Sequence, residues 1–340
     1  MEKISTAATD LPLVLSSQHI NEVKSNVTII TDFLLLGLSE ERQLQIVHLL
    51  AFLTLYLTVL VGNLLIITLV TLNAHLQTPM YFFLINLSTG DLGSTSATMP
   101  KFMTNVLMNT RHISYSECVA QLLFFLFFIS SDIFILAVMA YDRYVAICHP
   151  LHYMTVMKRG TCLQLAGSAW MAGFLNACLH TGTIFSMPFC SNIINQFFCE
   201  IPHLVKILCD DSYLHEMWML LLSAALGLSC FVCIIMSYVK IFTTVSRMSS
   251  VENRQKALST CIPHLIVVSL LLGTGILSHF MLSSSSSYNS DEVLAVIYSV
   301  LPPMMNPIIY SMRNKDVKSA LWKLLYPKFP TKNMIPHVLL

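Results

Sequence analysis

The chain has 340 residues, of which 55% are hydrophobic and only 11% are charged, and its formal net charge is +1. Soluble domains carry about 25% charged residues, so this composition excludes an ordinary soluble protein and predicts a membrane protein. The net charge argues neither for nor against a nucleic-acid partner, and we predict none.

Residues 1–45 are predicted to form an extracellular segment. They lack a basic stretch followed by an apolar core, so we expect no cleavable signal peptide and expect the first span to direct insertion. Asn26-Val27-Thr28 is a glycosylation sequon, and glycosylation of Asn26 would require this segment to face the secretory lumen. Such triplets also occur by chance.

Seven apolar segments then approach or exceed the roughly 20 residues that cross a bilayer. They cover residues 46–72, 80–104, 118–142, 162–187, 213–242, 258–282 and 292–312. The second carries Asp91 and the seventh carries three prolines, so both score weakly on hydropathy alone. We predict an all-α membrane protein, a seven-transmembrane helix bundle over residues 46–312. A cytoplasmic tail, residues 313–340, begins with an amphipathic helix from Lys315 to Leu325.

The loop charges set the orientation. With the amino terminus outside, thirteen of the 19 basic residues but only three of the 18 acids fall on the inside. Basic residues accumulate on the cytoplasmic side of membrane proteins. An even number of spans would place the amino-terminal segment and the basic tail on the same side, so the charges favour an odd number.

Four of the ten cysteines are predicted to face the oxidising outside, where thiols usually pair. Three pairings are possible. We favour Cys118 with Cys199, which ties the long outer loop to the third span, and Cys190 with Cys209, which closes that loop on itself. The other six cysteines are expected to be free thiols.

The stretch Met139-Ala-Tyr-Asp-Arg-Tyr-Val-Ala-Ile-Cys148 ends the third span with a charged pair. An arginine at a membrane boundary is costly unless it reaches water or a partner, so Asp142 and Arg143 are functional candidates. Asn306-Pro307-Ile-Ile-Tyr310, in the seventh span, is interpreted as a deformable hinge, because proline removes a backbone donor. The alternative is a static kink.

Together with further motifs in a fixed order, these stretches resemble the odorant receptors of the rhodopsin-like G-protein-coupled family, from about Phe33 to Leu321. Phe33 to Ser39 and Pro79 to Leu84 resemble its tetrapod-type class. The motifs are Gly62-Asn63, Pro79-Met-Tyr-Phe-Phe-Leu84, Asn86-Leu-Ser88 with Asp91, Met139 to Tyr153, Phe198-Cys199, Ser237-Tyr238, Lys256 to Cys261 with His264, and Pro302 to Tyr310 with Arg313-Asn314.

The resemblance implies a plasma-membrane receptor, not an enzyme, that binds a small, largely apolar organic ligand in the outer half of the bundle. It implies activation of a stimulatory olfactory-type G protein, which raises cyclic AMP, with membrane lipids and trafficking helper proteins as further partners. A transporter or channel is the alternative, since those proteins also use broken helices and buried carboxylates. A transporter would be expected to show internal repeats, and no motif recurs here.

The resemblance also implies roles for individual residues. The residues implied in coupling and activation are Asp142, Arg143, Tyr144, Tyr238, Asn306, Pro307 and Tyr310. Those implied in ligand binding are Phe125, Leu126, Ile129, Ser130, Ile133, Leu222, Ser223, Leu226, Leu272, Gly275, Ile276, His279 and Ser299. No acid lies among the ligand-binding residues, so an amine ligand held by a buried salt bridge is not expected.

Asn63, Asp91, Asp132 and Asn306 are expected to converge into one polar cluster between the first, second, third and seventh spans. The resemblance implies a sodium ion or a proton at Asp91 and Asp132, because a buried carboxylate takes up a proton or finds a cation. A hydrogen-bonded network without an ion is the alternative. No other cofactor is expected, and His180 and His279 lack the spacing of a metal site.

Overall fold

The computed structural model describes residues 30–36, 41–209, 213–283, 288–313 and 315–325. Two short helices, Tyr153–Val156 and Ile201–Lys206, lie in loops. Seven long helices and one of 11 residues follow each other along the described chain. They are α1 (Arg42–Leu72), α2 (Pro79–Met108), α3 (Tyr115–Cys148), α4 (Arg159–Phe185), α5 (Tyr213–Ser246), α6 (Val251–Ser283), α7 (Tyr288–Arg313) and α8 (Lys315–Leu325). The predicted seven-helix bundle is confirmed, and Asn26 lies outside the described residues.

Several helices extend beyond the predicted apolar segments. The third segment is predicted over 118–142, whereas α3 begins at Tyr115 and ends at Cys148. Its first turn is polar, and Ser114 and Glu117 form a capping box there. A helix continues past the apolar run wherever its polar ends are capped or solvated, which hydropathy alone does not show.

Hydropathy explains why the second span is hard to recognise. Six helices in the described part of the chain are long and apolar enough to cross a membrane, and α2 is not among them. The most apolar 18-residue stretch within Val293–Ser311 of α7 has a mean hydropathy of 1.5, and that of α3 has a mean hydropathy of 2.5. Six polar residues of α2, including Ser88, Asp91 and Thr98, are buried inside the protein, where they do not face lipid.

The helix α3 lies at the centre of the bundle and packs against α2, α4, α5 and α6. Its contact with α4 is close because Gly173 has no side chain. A Cβ at Gly173 would lie 2.1 Å from Ser131 Oγ and 2.8 Å from Ser131 N. Small residues at such crossings let helix backbones approach closely inside a membrane.

A small sheet covers the outer end of the bundle. Strand β1 (Asp32–Leu35) pairs antiparallel with β2 (His112–Ser114) and parallel with β3 (Ile193–Ile194). Phe33 of β1 is fully buried and stacks on Tyr115 at 6.0 Å between ring centroids. The described end of the amino-terminal segment is therefore part of the folded protein.

Both favoured disulfides are present. Cys118 is bonded to Cys199, and Cys190 is bonded to Cys209. The first joins α3 to the loop after α4 across 81 residues, and the second closes 19 residues of the loop. The remaining six cysteines are free, as expected.

Candidate functional site

The predicted polar cluster forms in the middle of the bundle. Asn306 Nδ2 donates to both carboxylate oxygens of Asp91, at 3.1 and 2.9 Å. Asp132 packs against Gly90, where a Cβ would lie 2.0 Å from Asp132 Oδ1. Asp91, Asp132 and Asn306 are all buried and line one small internal cavity. The structure thus brings together α2, α3 and α7 as the sequence predicted.

Asn63 joins α1 to this cluster through the backbone of α7. Because Pro307 has no N–H, the carbonyl of Pro303 loses its usual helical donor. Asn63 Nδ2 donates to that carbonyl at 3.1 Å. The neighbouring Gly62 permits the approach, because a Cβ there would lie 3.1 Å from the Pro307 ring. The Gly62-Asn63 motif therefore fits the proline-containing segment of α7.

Three oxygens of the cluster have no hydrogen-bond partner among the described residues. They are Asp132 Oδ1, Asn63 Oδ1 and Asn306 Oδ1, and all three are buried. Buried polar atoms without a partner are rare and require an explanation, such as an ion, a water or a proton. Carboxylate and amide oxygens are ligands of the type that hard cations such as sodium prefer. The residues present fit such a group.

The cavity extends outward from the cluster between α3, α6 and α7. Ile129 and Ser299, two of the predicted ligand-binding residues, line it together with Leu271 and Tyr298. Tyr298 was not predicted. Its ring lies 6.3 Å from that of Phe125, a predicted ligand residue, between ring centroids.

Glu200 lies beside Tyr298 of this region, and it is not among the predicted site residues. Glu200 is buried, and it accepts a hydrogen bond from the hydroxyl of Tyr298. Gln196 Nε2 donates to it at 3.1 Å, and His203 Nδ1 lies 2.7 Å from the same carboxylate. The signal available in the sequence was its position directly after Cys199, which the disulfide fixes against α3.

The other predicted ligand residues occupy varied environments. Leu222 and Leu226 are exposed on the surface of α5 and are not among the residues that line the cavity. Leu126, Ile133, Leu272 and Gly275 are half-buried. The side chains of Ile276 and His279 lie outside the described residues.

Ser130 and Ser223 join a partly buried polar chain that crosses from α3 to α5 through α4. Asn176 Nδ2 donates to Ser130 Oγ at 3.0 Å, and Ser223 Oγ donates to Asn176 Oδ1 at 2.7 Å. His180 Nε2 lies 2.6 Å from Ser223 Oγ. The two α4 residues were not predicted to belong to the site.

At the cytoplasmic end of α3, Arg143 is held by its neighbour. Arg143 Nη2 lies 2.6 Å from Asp142 Oδ2, and Tyr153 Oη donates to Asp142 Oδ1 at 2.9 Å. Asp142 is completely buried. Burial, and then the Asp142 carboxylate, raise the pKa of Tyr153, so its hydroxyl remains a neutral donor.

The buried residue His264 ties three helices together near Arg143. Its Nδ1 lies 2.8 Å from Tyr238 Oη of α5, and its Nε2 lies 3.0 Å from the carbonyl oxygen of Leu136 of α3. The hydroxyl of Tyr238 therefore has a hydrogen-bond partner. The hydroxyl of Tyr310 on α7 is also buried, but it has no hydrogen-bond partner among the described residues. The sequence motif of Lys256 to Cys261 with His264 does not predict these contacts.

Tyr144, the last of the predicted coupling residues, points toward α5 and the inner loop. Its hydroxyl lies 2.9 Å from His149 Nε2, and Lys240 Nζ lies 5.3 Å from the centre of its ring. A cation over a tyrosine ring is attracted by the ring quadrupole. Tyr144 therefore links α3 to α5 beside the Asp142 and Arg143 pair.

The fold matches a solved receptor. The crystal structure of squid rhodopsin superposes with a TM-score of 0.68 at 17% identity, and the match covers 86% of this chain and 89% of that one. At this identity the likeness shows the seven-helix fold alone.

Relatives of higher identity show the family. A family model described as olfactory receptor matches residues 52–328. Olfactory receptor 14A16 of Homo sapiens is 45% identical over 309 residues, which are 91% of this chain and 100% of that protein. Olfactory receptor 14I1 of Homo sapiens is 48% identical over 88% of this chain and 96% of its own length. Olfactory receptor 1G1 of Gorilla gorilla gorilla is 44% identical over 88% of this chain and 96% of its own length. The chain therefore belongs to the olfactory receptor family, whose members are multi-pass plasma-membrane signalling receptors of the G-protein-coupled type rather than enzymes.

Proposed function

We propose that this receptor binds a small, largely apolar odorant in the outer half of the bundle and activates a stimulatory olfactory-type G protein, which raises cyclic AMP. The observation that carries the proposal is the position of α3. The helix lines the cavity at Ile129 and holds Arg143 fourteen residues further on. At a rise of 1.5 Å per residue, these positions are about 21 Å apart. Movement of one rigid helix would couple them.

The cavity lining supports a small organic ligand. Ile129 and Leu271 supply apolar surface, and Tyr298 and Ser299 supply hydroxyls. Ligand pockets combine mostly apolar walls with a few polar groups. Glu200 adds a buried acid next to Tyr298, although it is not one of the predicted ligand-binding residues. That acid is already occupied by Tyr298, Gln196 and His203, so the apolar class of ligand is retained.

The inner surface supports docking of a G protein. Lys240, Arg247, Arg254 and Lys256 lie on or between the inner ends of α5 and α6, and all four are exposed. Clustered cations favour association with an acidic partner surface. Arg143 would contact the partner after release from Asp142. In α8, the exposed Trp322 and Lys318 beside the buried Val317 suit contact with lipid headgroups. Trafficking helper proteins are further proposed partners of this receptor.

We further propose that Asp91 and Asp132 hold a sodium ion or a proton in the resting receptor. Two carboxylates on one cavity repel each other unless a cation or a proton lies between them. Such a group would also provide a partner for the unpartnered oxygens of the two residues that line the cavity, Asp132 Oδ1 and Asn306 Oδ1. Basal cyclic AMP is measured at several sodium concentrations. The Asp91→Asn receptor is expected to lose any dependence of basal activity on sodium, and an unchanged dependence would contradict sodium binding at this site.

A cavity-filling variant tests the ligand site. Ile129→Trp would place a large ring in the cavity, whereas Leu163→Trp changes an α4 residue that is 54% exposed. The assay uses cells that express the receptor with the olfactory G protein. An odorant that raises cyclic AMP through the wild-type receptor should not raise it through Ile129→Trp, and should raise it to the normal level through Leu163→Trp. The comparison requires matched surface levels. Equal responses in both variants would contradict binding in this cavity.

A further inference from the structure

A second cavity lies at the outer ends of α1 and α2, and it shares no lining residue with the cavity at Ile129. We call it the outer pocket. Its polar lining includes His48 of α1, Asn105 of α2 and Arg111 of the turn that follows α2, and Phe197 of the outer loop also lines it. The free volume is about 50 Å³, whereas one water needs about 10–15 Å³ by the same measure. The outer pocket therefore has room for a small organic group.

Backbone acceptors hold the walls of the outer pocket together. Arg42 Nη1 donates to the carbonyl oxygen of Val106 at 2.8 Å, which ties α1 to α2. Leu35 N donates to the carbonyl oxygen of Arg111 at 2.8 Å, which ties β1 to the turn after α2. That turn starts at Asn109, whose φ of 53° lies in the left-handed region that asparagine tolerates. The outer pocket is thus preformed by the fold, as ligand sites usually are.

Two polar side chains of the outer pocket lack a partner in the described part of the chain. Asn105 is 7% exposed, and its Oδ1 accepts from Thr110 Oγ1 at 3.4 Å, whereas its Nδ2 reaches no acceptor there. His48 Nδ1 is buried and is likewise unpartnered among the described residues. An amide nitrogen can only donate, and buried polar atoms without a partner are rare. The outer pocket therefore requires a group that supplies acceptor oxygens.

The charge of the outer pocket favours an anion. Arg111 lines it, and no Asp or Glu does so among the described residues. Arg111 also takes part in another contact, but a guanidinium has five N–H donors and can serve a ligand at the same time. Glu41, just before α1, is exposed and does not line the outer pocket. A carboxylate supplies both the acceptor oxygens and the negative charge.

An aromatic cluster connects the outer pocket to the odorant cavity. The ring of Phe197 lies 4.8 Å from that of Phe198, which lies 5.1 Å from that of Phe125, between ring centroids. Phe125 in turn contacts Tyr298 of the odorant cavity. The outer pocket is formed in the arrangement in which Arg143 is held by its neighbour. A ligand that fits this arrangement shifts the receptor toward it.

We propose that the outer pocket binds a small carboxylate, and that its occupation favours the resting receptor and weakens the response to an odorant. Asn105 Nδ2, His48 and Arg111 would donate to the carboxylate oxygens. Binding at the outer pocket goes beyond the proposed function and does not depend on it, whereas the weakened response rests on it.

Thermal unfolding of the purified receptor tests the binding, with acetate as the probe. Sodium acetate is compared with sodium chloride at equal sodium concentration, and acetamide in the same sodium chloride is the neutral analogue of equal size. At about ten times its dissociation constant, acetate should raise the unfolding temperature by roughly 2 °C or more. No rise with acetate, or an equal rise with acetamide, would overturn the proposal.

Two variants locate the acetate effect. His48→Phe and Asn105→Leu nearly keep the size of the side chain and remove a donor, so each should lose most of the acetate shift. The shift is measured against the unfolding temperature of the same variant in chloride, so a loss of stability does not affect it. His75→Phe changes an exposed histidine between α1 and α2 on the inner side and should keep the full shift. Equal shifts in all three variants would overturn the assignment of the outer pocket.

Cyclic AMP measurements test the effect on signalling. Acetate should raise the odorant concentration for a half-maximal response about fivefold in the wild-type receptor, and should leave it unchanged in His48→Phe at matched surface level. An odorant response that acetate does not alter would overturn the effect on the resting receptor. Silence to every odorant would contradict the proposed function, while thermal unfolding would still decide whether the outer pocket binds a carboxylate.

Discussion

At the inner end of α3, Arg143 is held by Asp142, whose carboxylate also accepts a hydrogen bond from Tyr153. Asp142 uses one oxygen for Arg143 and the other for Tyr153. The tyrosine lies in the short helix Tyr153–Val156 of the second inner loop, so the loop orients the carboxylate that restrains Arg143. Tyr153 therefore helps to restrain Arg143 through Asp142, although the tyrosine and the arginine share no direct hydrogen bond among the described contacts.

Tyr153→Phe is predicted to raise basal cyclic AMP severalfold. Loss of a hydrogen bond to a charged group costs about 1.5–3 kcal/mol, which corresponds to a shift of about tenfold or more in the resting equilibrium. Tyr141→Phe, which removes a hydroxyl from a residue that is 42% exposed on the same receptor face, is the matched control. Equal basal activity of the two variants, at matched surface levels, would show that Tyr153 does not restrain the pair.

The residues of the polar cluster could be predicted from the sequence, whereas the Tyr298 and Glu200 contact could not. Asp91 and Asp132 are conspicuous because a carboxylate in an apolar span requires a partner. Glu200 resembles any other loop acid in the sequence, and its contact joins residues 98 positions apart. Only the folded path of the loop brings them together.

At the scale of helices, glycines on one helix differ in what surrounds them. Gly173 faces the backbone of α3, whereas a Cβ added at Gly167, also on α4, would have no neighbouring atom within 4 Å. The same residue type therefore serves close packing at one position and has no packing role at the other.

Gly173→Ala is predicted to destabilise the receptor and Gly167→Ala to leave it unchanged or slightly more stable. The new methyl group at Gly173 would overlap Ser131, and overpacking costs about 1–3 kcal/mol. Alanine in place of an open helical glycine gains roughly 0.5–1 kcal/mol. Thermal unfolding of the two purified receptors measures the difference, and the opposite order would contradict the described packing of α3 on α4.

The two disulfides are predicted to contribute unequally. By chain entropy, closing 81 residues stabilises by about 4.5 kcal/mol and closing 19 residues by about 3 kcal/mol. Changing Cys118 and Cys199 together to Ser should therefore lower surface expression and the unfolding temperature more than changing Cys190 and Cys209 together. Changing both partners together creates no additional free thiol. A larger loss in the second double variant would contradict this order.

For the whole molecule, the spans and the orientation could be predicted because composition and loop charge are summed over many residues. The outer sheet could not, because its strands contain only two to four residues and come from three separate parts of the chain. The polar chain through Asn176 and His180 was also missed. Which polar residues of an apolar helix face a neighbouring helix depends on its rotation, and Gly173 fixes that rotation only once the helices are packed.

For the whole molecule, the proposed function requires α3 to link the outer cavity to the inner Arg143. The most direct test is cyclic AMP accumulation in cells that express the receptor with the olfactory G protein, in response to a panel of odorants, with Arg143→Ala compared at matched surface level. An odorant response that Arg143→Ala abolishes is the predicted result. An odorant response of equal size in the Arg143→Ala receptor would contradict the account.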